Sequence, residues 1–174
     1  FHISLQAGND LILKRMKRRH TRKQAIDFCN EVKRKRNDVV FGADIIAGFP
    51  TETNEMFNDS VKLIDECNLT HLHIFPFSAR KLTPAARMPQ VSKDVIKSRA
   101  KILRDCGEKN LSQYLSQQIG INTTMLVEKT NAKGSYGKSQ HFTKMYIDKK
   151  LPEGLIVNCK IYKVKKNILQ AKLI

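Results

Sequence analysis

Residues 39–53 read VVFGADIIAGFPTET and carry the strongest structural signal in the chain. The part 39–47 is almost continuously apolar and holds a single acid, Asp44, which is typical of a buried strand in a parallel sheet. The residues at 48–51 form a loop, and apolar residues then recur at helical spacing from 55 to 67. The segment therefore predicts a strand–loop–helix unit of an α/β fold.

Further strands and helices are predicted before and after this segment. Residues 1–5 alternate like a strand, and residues 10–17 resemble a short helix. Thr21 is a suitable N-cap for a second helix, which ends in the basic residues 33–36. Residues 70–77 predict another strand. Because strands and helices alternate, we expect a parallel sheet with right-handed crossovers.

The periodicity changes in the last third of the chain. After an irregular stretch, a long helix is predicted from Ser92 to near Gly120. Beyond it the period becomes 2, which predicts a small antiparallel β-barrel. We therefore divide the chain into an α/β domain, 1–119, and a barrel domain, 120–174. The predicted barrel strands lie at 122–128, 141–147, 155–164 and 168–173.

The charge is strongly basic and unevenly distributed. The 174 residues include 32 Lys and Arg against 16 Asp and Glu, a net charge of +16. Residues 1–36 and 120–174 each carry a net +8, whereas residues 37–92 carry −3. Two basic blocks favour binding to a polyanion such as nucleic acid. The alternative is a solvated lysine-rich surface, because residues 120–174 contain 11 Lys and no Arg.

The cysteine pattern argues against a metal cluster held by this chain. The four cysteines are far apart and include no CxxC or CxxxCxxC motif, so buried reduced thiols are expected. The longest apolar runs are a few residues, far short of the roughly 20 that a membrane-spanning helix needs. Without a visible signal peptide, we expect a cytoplasmic protein that does not contact a membrane.

Polar residues follow three predicted strands, where ligands bind in α/β folds. Gln6 and Asn9 follow the first strand, Gly48 and Glu52 the second, and Arg80 the third. Gly48 would allow a flat ligand close to the backbone, and Arg80 could bind a phosphate or carboxylate. The alternatives are an Asx-turn at Asn9, a helix cap at Glu52 and an ordinary surface arginine.

His71 and His73 alternate on one strand face and could form a metal-binding pair. Because the sequence offers no obvious third ligand, we favour structural roles and predict no metal site.

Aromatic and basic residues alternate in the predicted barrel. Phe142 and Tyr146 lie among Lys138, Lys144 and Lys149. Aromatic rings surrounded by cations are typical of surfaces that stack on RNA bases. Packing of these rings in the barrel core is the alternative.

Five stretches together resemble the radical S-adenosylmethionine (SAM) methylthiotransferases. They are HISLQAG at 2–8, LKRMKRRHT at 13–21, GADIIAGFPTET at 42–53, FPFS at 75–78 and TPAARMPQV at 83–91. The sequence is most similar to the branch that attaches a methylthio group to C2 of N6-threonylcarbamoyladenosine 37 in tRNA. The resemblance covers essentially all 174 residues.

The resemblance implies the second half of a radical-SAM partial (β/α) barrel, followed by the family's OB-like TRAM domain, which is associated with RNA binding. In this family the cysteines that hold the 4Fe–4S clusters lie upstream of the matching region. The resemblance thus implies that this chain alone is inactive and that an upstream polypeptide carries the missing half. A non-catalytic RNA-binding protein, or a remnant of a broken gene, is the alternative.

The resemblance also implies roles for individual residues. SAM is the implied cofactor, and tRNA is the implied partner. Two stretches depart from the family pattern: residues 6–9 read QAGN in place of Gln-Ser-Gly-Ser, and residues 80–83 read RKLT in place of Arg-Pro-Gly-Thr. The residues implied on the cofactor side are Gln6, Asn9, Asp44, Ile46, Gly48 and Glu52. Those expected on the tRNA side are Arg18, Arg19, Arg80, Lys138, Phe142 and Lys144.

Overall fold

A computed structural model describes all 174 residues, which divide into two compact units, Phe1–Asn110 and Leu111–Ile174. The first unit contains a parallel sheet of three strands, in the order β1-β2-β3. Its strands are β1 (His2–Gln6), β2 (Phe41–Ala47) and β3 (Leu69–Pro76). The parallel α/β arrangement predicted from the 39–53 segment is therefore confirmed.

Helices connect the three strands. They are α1 (Asp10–Arg15), α2 (Arg22–Lys35) and α3 (Asn54–Glu66). α2 begins with a capping box, in which Thr21 Oγ1 accepts from the Gln24 N–H at 3.2 Å and the Gln24 side chain accepts from the Thr21 N–H at 2.9 Å. Basic residues fill the last turn of α2, where cations favour the helix dipole. Thr21 is thus the N-cap, as predicted.

The two faces of the sheet differ in chemistry. On one face Ala43, Ile45 and Ala47 are fully buried. They belong to a core that also contains residues of α2, α3 and the helix Lys93–Gln117. On the other face Asp44 pairs in register with His73 and keeps 24% of its side chain exposed. One face therefore packs in the main core, while the other carries the polar side chains of Asp44 and His73.

A long helix, α4 (Lys93–Gln117), follows an irregular stretch that includes a 3₁₀ turn at Pro84–Arg87. It begins after Ser92, as predicted, and Ser92 Oγ accepts from the Val95 N–H at 3.4 Å. Ala100 and Leu103 pack in the core of the first unit. No helix of the structure is both long enough and apolar enough to cross a membrane.

The second unit is a closed barrel with the strand order β4-β5-β6-β8-β7. Neighbouring strands are antiparallel except β6 and β8, which run parallel, so the predicted antiparallel barrel is in fact mixed. Leu111 and Leu115, at the end of α4, pack into the barrel core. The strands are β4 (Asn122–Asn131), β5 (Gly134–Ser139), β6 (Lys144–Ile147), β7 (Ile156–Lys165) and β8 (Ile168–Leu173).

Strand β5 was missed by the sequence analysis, which predicted four barrel strands. Its sequence, GSYGKS, has neither apolar alternation nor β-branched residues. It is a strand because backbones approach closely there: a Cβ on Gly137 would lie 1.9 Å from the Leu126 carbonyl oxygen. The domain limits 1–119 and 120–174 stay a prediction, since the compact units divide at 110/111, within α4.

Candidate functional site

Glu52 anchors the loop that follows β2. Its side chain is 1% exposed, and Oε2 accepts from the Gly48 N–H at 3.0 Å and from Arg99 Nη1 at 2.8 Å. Arg99, on α4, also donates to the Glu52 carbonyl oxygen at 3.0 Å and to Asn54 Oδ1 at 2.9 Å. Glu52 therefore ties the loop to α4, while Thr53 is the cap of α3.

The electrostatics of Glu52 are those of a buried acid held by one cation. Burial raises the pKa of the Glu52 carboxyl, while the Arg99 charge and the Gly48 N–H act in the opposite direction. The second oxygen, Oε1, is buried and has no hydrogen-bond partner. Sequence reasoning missed Arg99, although a charge beside Ala100 on the apolar face of a predicted helix was a signal for it.

The structure accounts for Gly48 through packing within the first unit. Its φ is +75°, a region that favours glycine, and a Cβ there would lie 2.5 Å from Ile96 Cγ1. The close approach therefore comes from α4, and the predicted approach of a flat ligand is not needed to explain this glycine. A role for Gly48 toward a cofactor stays a prediction.

At the end of β1, the side chain of Asn9 is used by the protein itself. Its Oδ1 accepts from the Leu11 N–H at 3.1 Å and from the Ile12 N–H at 3.4 Å, and Nδ2 donates to Asp59 Oδ2 at 2.7 Å. Asn9 is therefore the N-cap of α1, the alternative that its sequence context left open. Gln6 has a positive φ of 68° and is 8% exposed, at the point where the chain leaves the sheet.

Asp44 and Ile46 lie on the same face of β2 but in different surroundings. Ile46 packs against a small apolar cluster that includes Ala7 and Phe49. Asp44 Oδ1 lies 2.8 Å from His2 Nε2 and 3.2 Å from His73 Nδ1. Burial acts to raise the pKa of Asp44, but its contacts with His2 and His73 outweigh this effect and lower it.

The arginines expected on the tRNA side are all exposed. Arg18 and Arg19 are exposed in the turn between α1 and α2, and Arg80 is exposed in the loop after β3. Arg22, in the same basic segment, turns inward instead and donates to the Gly8 and Asp59 carbonyl oxygens at 3.2 and 2.9 Å.

The predicted barrel residues do come together. Lys138 and Lys144 are paired in register on β5 and β6, and Lys138 Nζ lies 5.8 Å from the ring centre of Phe142. Phe142 is 77% exposed, so the core-packing alternative is wrong for this ring. Lys138 also contacts Glu128 at 3.2 Å. The result is an exposed aromatic ring beside the Lys138 cation, whose strand partner is Lys144.

A second group of this kind was missed by the sequence analysis. Tyr162 is 41% exposed, and the Nζ atoms of Lys163 and Lys172 lie 5.5 and 5.3 Å from its ring centre. The sequence signal was the position of Tyr162 among the lysines of residues 160–166, similar to that of Phe142 among its lysines.

Comparison with known proteins shows which families this sequence resembles. Residues 1–64 match the radical SAM superfamily. Threonylcarbamoyladenosine tRNA methylthiotransferase MtaB of Rickettsia prowazekii (strain Madrid E) is 46% identical over all 174 residues, which span 40% of that relative. Over its whole length, the chain is similar to a radical SAM methylthiotransferase. The resemblance drawn from the five sequence stretches is thereby confirmed.

Other members of the family are more distant. The tRNA-2-methylthio-N(6)-dimethylallyladenosine synthase of Ehrlichia chaffeensis (strain ATCC CRL-10679 / Arkansas) is 35% identical over 158 residues, covering 84% of this chain and 34% of that relative. The MtaB protein of Chlamydia pneumoniae is 32% identical over 145 residues, covering 83% of this chain and 34% of its own length. This chain thus spans about two fifths or less of these methylthiotransferases.

Each of the four thiols of this chain is buried or has a raised pKa. Cys29, Cys67 and Cys159 are buried, and all four cysteines are free. The hydrogen bond between Cys29 and Cys67 lowers the pKa of Cys29 and, together with burial, raises that of Cys67. Burial raises the pKa of Cys106 and Cys159. Iron–sulfur clusters are held by thiolates, so the raised pKa values disfavour Cys67, Cys106 and Cys159 as cluster ligands.

Proposed function

We propose that this chain is part of a tRNA methylthiotransferase that acts on N6-threonylcarbamoyladenosine at position 37. The observation that carries the proposal is the 46% identity, over the full chain, to a relative named for that nucleoside. The Ehrlichia chaffeensis relative, which is named for dimethylallyladenosine, is 35% identical over 158 residues. The difference favours the threonylcarbamoyladenosine branch.

The first unit would contribute to the SAM side of the site. Asn9, Glu52 and Gly48 already have partners within the protein, which leaves Gln6 and Ile46 to face a nucleoside at the carboxyl ends of β1 and β2. A glutamine amide can hydrogen-bond a ribose or carboxylate, and a partly buried isoleucine suits the face of an adenine. Bound SAM would supply the radical chemistry and the methyl group; the chain's own residues would bind and orient it.

The second unit would bind tRNA. Phe142 and Tyr162 each combine an exposed ring with two nearby or paired lysines, which supports stacking on an unpaired base together with phosphate neutralisation. Residues 120–174 carry a net +8, so the interaction would weaken steeply with salt. Arg18, Arg19 and Arg80 would add exposed cations from the first unit.

Catalysis would need a polypeptide that supplies the cluster ligands. The four thiols do not supply the ligands of a 4Fe–4S cluster, so we infer that this chain does not act alone. Its proposed partners are tRNA and the polypeptide region that carries the cluster cysteines. We place the reaction in the cytoplasm, where tRNA is modified. A non-catalytic RNA-binding role is the second candidate, favoured by the exposed rings beside lysines in the second unit.

A chimaera tests these proposals. The upstream part of the R. prowazekii relative would be joined to this chain and expressed in bacteria that lack the methylthio modification of both nucleosides. Nucleoside mass spectrometry of their tRNA should detect the methylthio derivative of threonylcarbamoyladenosine. The complete relative is the positive control. Product on dimethylallyladenosine alone would refute the branch assignment, and no product despite tRNA binding would favour the non-catalytic alternative.

A variant pair in the same chimaera tests the SAM side. Gln6→Ala should lower the yield of product, whereas Gln113→Ala, at an exposed position of α4, should leave it unchanged. Equal yields from both variants would remove Gln6 from the proposed cofactor site.

A further inference from the structure

A cluster of two histidines and one carboxylate lies on the polar face of the three-stranded sheet. The ligand atoms of His2, Asp44 and His73 all lie within 4.8 Å of one another. His2 Nε2 and His73 Nδ1 converge on the same oxygen, Asp44 Oδ1, at 2.8 and 3.2 Å. The three residues come from β1, β2 and β3, so neighbouring strands of one sheet hold the cluster.

The sheet is shaped around this cluster. Gly42 pairs in register with His2 and lies two residues before Asp44, on the same face of β2. A Cβ on Gly42 would lie 2.7 Å from His2 Nδ1 and 3.3 Å from His71 Cβ. The His2 ring therefore occupies the space that a larger residue would fill, and it lies 4.7 Å, centroid to centroid, from the His73 ring.

We propose that His2, Asp44 and His73 bind a divalent first-row transition metal ion, with Zn²⁺ or Fe²⁺ as the best-matched ions. Two imidazoles and one carboxylate are a ligand set that both ions accept, and such sites leave coordination positions open. At metal–ligand distances of about 2.1 Å, tetrahedral ligands lie roughly 3.4 Å apart, so small side-chain rotations would complete the site.

Exposure and ionisation are suited to metal binding. The side chains of His2 and His73 are 44% and 63% exposed, so an ion can reach the cluster from solvent. An aspartate carboxylate is ionised at neutral pH, as a metal ligand must be. The sequence analysis predicted no metal because it sought a partner for His71 and His73; here His73 instead lies beside two residues from other strands. The inference does not depend on the proposed function.

Cobalt titration of the 174-residue chain, purified without a histidine tag, tests the site. Co²⁺ should give saturable visible absorption at one ion per chain, displaced by Zn²⁺. His73→Ala and Asp44→Asn should each weaken binding by more than about 100-fold, since even residues outside the ligand set change metal affinity 10–100-fold. Gly42→Ala should weaken binding by displacing the His2 ring.

His71→Ala is the matched control, because His71 lies on the same strand and face, two residues from His73. It should bind Co²⁺ like the unchanged chain, and circular dichroism should show that every variant is folded. The proposal is overturned by the absence of saturable binding, by unchanged affinity in folded His73→Ala and Asp44→Asn, or by an equal loss in His71→Ala. Absorption typical of thiolate ligation would also overturn it, since it would assign the ion to cysteines.

Discussion

Replacing Arg99 with methionine should destabilise the first unit strongly. Three hydrogen bonds from the guanidinium would be lost, two to Glu52 and one to Asn54. The Glu52 carboxylate, 1% exposed, would then be buried without a countercharge. Breaking a buried ion pair in this way costs about 3–5 kcal/mol. In a chain of this size that loss lowers the melting temperature by roughly 10 °C.

The chain offers two separate optical probes for this measurement. All four tyrosines, at 114, 136, 146 and 162, lie in the second unit, and there is no tryptophan. Urea unfolding followed by far-UV circular dichroism reports the helices α1–α3 of the first unit as well as α4. Tyrosine fluorescence reports the second unit. The Arg99→Met variant should shift the dichroism midpoint to lower urea while the tyrosine midpoint moves much less.

Two further variants make the test decisive. Lys101→Met, also on α4, removes an exposed pair with Asp105 and should change the midpoint little, because exposed ion pairs contribute little to stability. Glu52→Gln combined with Arg99→Met should be more stable than Arg99→Met alone, since no uncompensated charge remains buried. Equal shifts for Arg99→Met and Lys101→Met, or no recovery in the double variant, would refute the reasoning.

Three other predictions follow from the structure. Phe142→Ala should weaken tRNA binding in a filter assay by about 5- to 150-fold, the range expected for one lost stacking contact. Lys144→Ala should reduce the slope of log K against log[salt] by about 1, whereas the control Lys62→Ala on α3 should change neither quantity. Asn9→Ala should lower the free energy of unfolding by about 0.5–2 kcal/mol through loss of the α1 cap, measured by urea unfolding; an unchanged midpoint would contradict that cap. Anaerobic reconstitution with iron and sulfide should leave no stoichiometric 4Fe–4S cluster on this chain. A content of four iron atoms per chain would disprove the prediction that its cysteines hold no cluster.

The regular elements could be predicted because their signals are local. Each signal comes from residues that are close in sequence: the apolar run of β2, the N-cap at Thr21 and the 3.6-residue period of α4. β5 could not be predicted, because its strand conformation depends on the close backbone approach at Gly137 rather than on its own side chains. The change to a period of 2 after the long helix predicted that a barrel follows the α/β unit.

The candidate sites depended on distant contacts and were therefore harder to predict. Glu52 was singled out by its position after a strand, but its partner Arg99 lies 47 residues away. Likewise, Asp44 was assigned to the cofactor side, and nothing local indicated that it meets His2 and His73, which come from the neighbouring strands. Phe142 lies close to Lys138 because both residues belong to the same hairpin; its role toward tRNA stays a prediction.

The two units differ in how their sheets end. In the barrel each strand is hydrogen-bonded on both sides, since the order β4-β5-β6-β8-β7 closes through the pairing of β4 with β7. In the three-stranded sheet only β2 has neighbours on both sides, so β1 and β3 each offer one free row of backbone donors and acceptors. Such rows accept an added strand from another polypeptide. A further strand would therefore pair with this chain at β1 or β3 rather than at the barrel.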